Sequence, residues 1–279
     1  MIKTISTASL TLLLAGLAAP ALAQTAPDWS GPYVGIYGGV LDAREDKDES
    51  LVFDRDFDGA FDDSVLLTGT GNDAFSPGSC PGNARNNTAA GGCHSDQTGV
   101  EASVRLGYDR QFGALVIGVV GELGATDVQD SVTAFSTTPA AYVFTSDIEH
   151  MAALRLRAGF AAGPALYYVT GGAAYARIDN RFRTTNGANS FTETVDEDDA
   201  DGYQVGAGVE WRLAPNLSVT GEYLFTDLTP GGHVVRAGPG SAPATNPFIL
   251  PPNTAGTDIA RSNDKMDLHA LRIGMNVRF

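Results

Sequence analysis

Lysine is nearly absent. The chain of 279 residues has three (Lys3, Lys47 and Lys265), so arginine supplies the rest of its 18 cations. Against them stand 33 acidic residues, a formal balance of −15. Nucleic-acid binding rests on the opposite sign of charge, so it is excluded. Charged residues of either sign make up 18% of the chain, against about 25% in ordinary soluble domains. Beyond Ala19 no apolar run approaches the roughly 18 residues that a membrane helix needs. A hydrophobic share of 43% is too high for disorder. Cysteine is confined to Cys80 and Cys93, in a Gly/Asn/Pro-rich stretch. A redox or metal pair needs another spacing or further partners, so these two read as a disulfide, worth about 3 kcal/mol for so short a loop. What is abundant is glycine, 33 residues.

The first 23 residues read as an export signal. Lys3 is the positive start, Leu10 to Ala19 a short apolar core, and Ala21-Leu22-Ala23 a small-x-small cleavage site. The chain from 24 to 279 is then one domain.

Period-2 alternation dominates that domain. Tyr203, Val205, Ala207, Val209, Trp211 and Leu213 alternate with Gln204, Gly206, Gly208, Glu210 and Arg212. The same pattern runs through 98–112, 217–226 and 271–279, and less cleanly through 32–40, 114–125, 147–160 and 165–176. These make eight strands. Their connections alternate in length: tight turns at Gln111-Phe112-Gly113, Ala162-Gly163-Pro164 and Ala214-Pro215-Asn216, long ones over 42–97, 126–146, 178–201 and 229–264. Short turns on one side and long loops on the other mark an outer-membrane barrel. The fold expected is all-β, an eight-stranded antiparallel transmembrane β-barrel with long extracellular loops. A hairpin within Leu51 to Thr68 would raise the count to ten.

In a barrel of this kind the apolar face meets lipid and the polar face the lumen. The lumen set is then Glu101, Glu122, Glu149, Glu210 and Glu222 with Arg105, Arg155, Arg157, Arg212, Arg272 and Arg278. Arginine forks suit bidentate pairing with carboxylates, so the set reads as a salt-bridge network rather than paired catalytic acids. Eight strands enclose room only for their own side chains, which disfavours an open pore. Trp29, Tyr33, Tyr108, Phe160, Trp211, Phe225 and Phe279 lie near strand ends and are candidates for interfacial girdles.

At this point the chain resembles the small outer-membrane β-barrel family of Gram-negative bacteria, close to its alphaproteobacterial porin-like surface-antigen members. The carrying residues are Trp29-Ser30-Gly31-Pro32-Tyr33-Val34-Gly35, Gly206-Ala207-Gly208-Val209-Glu210-Trp211, Gly221-Glu222-Tyr223 and the run from His269 to Phe279. The resemblance implies insertion among outer-membrane lipids, a structural or surface-exposed role and no enzymatic activity. It also implies delivery by periplasmic chaperones to the barrel-assembly machinery, with Phe279 as the assembly signal.

One motif stands apart. Asp54-Arg55-Asp56-Phe57-Asp58-Gly59 opens like a calcium loop, with Asp62 at the ninth position, but Val65 occupies the twelfth, where a full EF-hand needs Glu. A solvated acidic loop is the stronger reading and a Ca²⁺ site the weaker. His94, His150, His233 and His269 are scattered, without metal-ligand spacing or a catalytic constellation. The function expected is an integral envelope protein presenting acidic loops. A calcium-dependent adhesin or ligand-binding surface protein, and a narrow pore, are the alternatives. The charge supports outward acidity: 42–97 carries 12 acids against 4 bases, and 178–202 carries 7 against 2.

Overall fold

A computed structural model describes residues 28–44, 48–96, 98–263 and 265–279. The export signal therefore lies outside the described residues. Eight long strands form the frame: β1 (Gly31–Ala43), β2 (Gly99–Phe112), β3 (Leu115–Thr126), β4 (Ala140–Ala162), β5 (Ala165–Thr184), β6 (Asp199–Ala214), β7 (Leu217–Pro230) and β8 (Met266–Arg278). Each pairs antiparallel with its neighbours in sequence, and β8 pairs with β1, so the sheet closes. Closure removes both sheet edges, the only way a sheet can satisfy its backbone in hydrocarbon. Two of the tight turns pass through Gly113 and Gly163, both at positive φ. No helix among the described residues is long and apolar enough to cross a membrane.

The alternation sorts the faces. Ile36, Leu106, Leu156, Val169, Leu271 and Ile273 point outward and are exposed, while Arg105, Arg155, Arg157, Glu210 and Glu222 point inward and are buried. Interior glycines make room for interior rings. A Cβ on Gly107 would overlap the Tyr33 ring, and one on Gly274 the Tyr37 ring.

The ten-strand count does not hold. Leu51–Asp54 joins a separate four-stranded sheet in the order Ser190–Asp196, His233–Gly238, Thr257–Arg261, Leu51–Asp54. Strands β4 and β5 also run well past their expected ends, and Gln129–Ser136 pairs with the extension of β4, itself flanked by Ser79–Pro81. One apolar cluster joins residues of both layers: Phe53, Phe75, Tyr142, Phe144, Phe248 and Ile259, with Phe182 and Phe191 against it. The long connections thus fold into a cap with its own core. Cys80 and Cys93 are disulfide-bonded within it, 6.1 Å apart at Cα.

Candidate functional site

The barrel interior is the largest assembly of charge, and it is layered. At the turn end, β2 supplies Asp109, β4 Arg157, β6 Glu210 and β8 Arg278. Arg157 lies 3.2 Å from Asp109 and 2.5 Å from Glu210, and Arg278 2.8 Å from Asp109. Two arginines face two carboxylates, so the layer is neutral. Arg157 also stacks on Tyr168, 3.9 Å from the ring centre.

The middle layer holds three of each sign. Glu222 accepts from Arg105 at 2.8 Å, from Arg272 at 2.9 Å and from the Tyr168 hydroxyl at 2.6 Å. Glu122 is bonded by Arg105 at 2.7 Å, Arg155 at 2.8 Å and Arg272 at 2.9 Å. Glu101 completes the set, 3.3 Å from Arg272. Residues from β2, β3, β4, β7 and β8 are thereby tied across the lumen. Loss of any one member is costly, because a buried charge left alone costs several kcal/mol (about 3–5).

Towards the long connections an apolar layer follows, with Leu41, Ile148, Ile178, Leu224, Leu228, Met266 and Leu268 all buried. Above it Arg261 of the cap forms a bidentate pair with Glu49, at 2.6 and 3.0 Å, and also bonds Asp130. The lumen is filled with side chains at each of these levels.

Four expected positions differ. Glu149 is exposed, its side chain 51% accessible and 3.9 Å from the still more exposed His150. The β4–β5 register shifts between Arg177 and Ile178, so Glu149 faces no residue and the inside-outside parity flips there. Ile148 consequently takes the interior place. Arg212 is half-buried at the turn end, where it stacks 4.3 Å over Trp29 and donates to the Pro215 carbonyl at 2.9 Å. Trp29 and Tyr33 belong to no girdle. Both are buried: Arg278 donates to the Trp29 carbonyl at 2.5 Å and Arg157 to the Tyr33 hydroxyl at 3.2 Å. Tyr108, Phe160, Trp211 and Phe279 are exposed on the outside.

In the cap, carboxylate oxygens of Asp54, Asp56 and Asp58 come within 4.8 Å of one another, without Asp62. Asp54 already accepts the backbone N–H groups of Phe57 and Gly59, at 2.7 and 2.9 Å. Val65, at the position of the bidentate glutamate, is buried in the apolar core. The cluster therefore lacks the bidentate carboxylate and the ninth-position acid of a full EF-hand loop. His233 is buried against Phe144, ring centres 5.1 Å apart. Burial holds its pKa below the usual 6.5, outweighing the opposite pull of Asp196 and Glu193.

A closed barrel, apolar without and ionic within, defines an integral outer-membrane β-barrel protein. The family model described as outer membrane protein beta-barrel domain matches residues 9–279, and the chain belongs to that family. The 31 kDa outer-membrane immunogenic protein of Brucella melitensis biotype 1 is 26% identical over 183 residues, covering 65% of this chain and 67% of that protein. The protein of the same name from Brucella suis biovar 1 matches equally. Among solved structures, OprG from Pseudomonas aeruginosa is similar at 14% identity and a TM-score of 0.45, covering 90% of this chain and 97% of OprG. The outer membrane protease OmpT from Escherichia coli is similar at 11% identity and a TM-score of 0.43, covering 89% of this chain and 97% of OmpT. The protein is thus an outer-membrane barrel with a surface-antigen relative.

Proposed function

We propose that the protein is a closed, non-conducting barrel whose role is structural and presentational: it anchors an acidic folded cap at the cell surface and performs no catalysis. The filled lumen carries this reading. Two neutral ion clusters and a buried apolar layer occupy successive levels of the lumen. The carboxylates most suggestive of acid-base chemistry are held by guanidinium groups instead of facing a cleft. Short turns face the periplasm in barrels of this kind, which puts the cap outside, and the immunogenic Brucella relatives support exposure.

An epitope inserted in the β5 turn at Gly187, an exposed position, tests the display. Antibody should label intact cells. Labelling that needs a permeabilised outer membrane would contradict the reading.

A further inference from the structure

The two longest strand edges in the cap with no strand beside them among the described residues are 178–184 of β5 and Ser190–Asp196. Gln129–Ser136 is flanked by Ser79–Pro81, and Leu51–Asp54 is bridged at Phe53 by Asp63. The β5 edge is partly engaged. Ile178 donates its N–H to the Asp198 carbonyl at 2.6 Å, and the Asn180 side chain donates to the Glu197 carbonyl at 3.2 Å.

Ser190–Asp196 is different. It pairs only with His233–Gly238, and all its side chains except the half-buried Phe191 are exposed. A bulge between Glu193 and Val195 leaves Thr194 opposite no residue. Val195 is 38% exposed, an apolar contact on a strand whose only charges are the acids Glu193 and Asp196. An open edge is a template for another strand, and proteins commonly guard such edges with charge.

Here the guard has one sign. Residues 190–202 carry six acids (Glu193, Asp196, Glu197, Asp198, Asp199 and Asp201) and no base. Arg177 engages Asp198 at 2.7 Å and reaches Asp199 at 4.0 Å, and His233 lies 3.5 Å from Glu193 with its pKa held low by burial, so one arginine stands against the six acids. A second copy of this chain would bring the same charge to the edge and be repelled. A cationic strand would be attracted.

We infer that Ser190–Asp196 is a strand-addition site for an extended, cationic segment of a partner polypeptide. The ladder would supply affinity through main-chain hydrogen bonds, and the acids would select the partner's sign. The biological use of this site rests on the cap being displayed outward. Binding by the purified protein does not, so the two readings fail separately.

The test uses the refolded full chain in lipid nanodiscs and three twelve-residue peptides: alternating Lys and Thr, alternating Glu and Thr, and the Lys/Thr sequence with two central Thr replaced by Pro. The Lys/Thr peptide should bind, and amides within residues 190–196 should gain protection from hydrogen exchange. The Glu/Thr peptide should not bind. The proline peptide has the same charge but lost donors, and should bind about tenfold more weakly. The Glu193→Lys/Asp196→Lys variant should lose about tenfold in affinity for the Lys/Thr peptide. If that variant fails to fold on a heat-modifiability gel, Glu193→Gln/Asp196→Asn replaces it, with a loss of about threefold. Absent binding, equal binding of the two Lys peptides, or protection elsewhere than 190–196 would overturn the proposal.

Discussion

Glu222 is the residue on which the interior network should be most dependent. Its carboxylate takes Arg105 at 2.8 Å, Arg272 at 2.7 Å and the Tyr168 hydroxyl at 2.6 Å, with its side chain fully buried. Glu222→Gln preserves the shape and removes the charge. Arg105, Arg155 and Arg272 then face only Glu101 and Glu122, and one buried guanidinium loses its counter-charge. Breaking a buried pair in this way should cost about 3–5 kcal/mol. The double variant Glu222→Gln/Arg272→Gln restores neutrality and should recover about 1–3 kcal/mol of the summed single losses. Glu149→Gln is the control: its exposed side chain should shift stability by less than about 0.5 kcal/mol. Urea titration of folding into phospholipid vesicles reads the wild type, Glu222→Gln, Arg272→Gln, their double variant and the control, with buried Trp29 among the fluorescent reporters. A Glu222→Gln loss below about 1 kcal/mol, or strict additivity in the double variant, would refute the argument that the layer is a coupled network.

Three further outcomes concern the cap. Arg261→Met strands buried Glu49 and Asp130 without their guanidinium; limited proteolysis of the cap should accelerate while the barrel keeps its heat-modifiable band. His233 has a depressed pKa when folded, so the unfolded cap takes up the proton first as pH falls. Its stabilising contribution is whole above the unfolded value of about 6.5 and is lost as pH drops towards the folded value. Protection factors in the cap, which correct for the slower intrinsic exchange at low pH, should fall between about pH 7 and pH 5, less so in His233→Asn. Chelation by EDTA should leave the cap's unfolding temperature unchanged, since the Asp54, Asp56 and Asp58 cluster lacks a full calcium donor set; a fall on chelation, absent in an Asp54/Asp56/Asp58→Asn variant, would reverse that reading.

The barrel was legible because its two requirements act locally. A strand between lipid and a filled lumen must alternate, and Gly206-Ala207-Gly208-Val209-Glu210-Trp211 displays that parity within one segment. The alternation of turn and loop lengths then fixes the topology. Parity misled at Glu149 because a one-residue register shift in the β4–β5 pair leaves no signature in an otherwise regular pattern. Trp29 and Tyr33 misled because an aromatic near a strand end suits either an interface or a stacked guanidinium. Only the three-dimensional neighbours, Arg212 over Trp29 and Arg278 over Tyr33, decide between them.

The cap was hidden for a different reason. Phe53, Phe75, Phe144, Phe191 and Phe248 are spread over four connections with no common period. They become a core only when Leu51–Asp54 pairs with Thr257–Arg261, about 200 residues away in the chain. The Arg261–Glu49–Asp130 cluster is of the same kind. By contrast, the acidity of residues 42–97 and 178–202 was readable from counting alone.

The central claim is that this barrel is sealed by its own side chains. Single-channel recording of the refolded full chain in a planar lipid bilayer tests it most directly. A silent baseline is expected at moderate voltage, for the whole protein and for a form whose cap has been clipped by protease, because the ionic and apolar layers remain in the barrel. Reproducible conductance steps from the intact protein would contradict it.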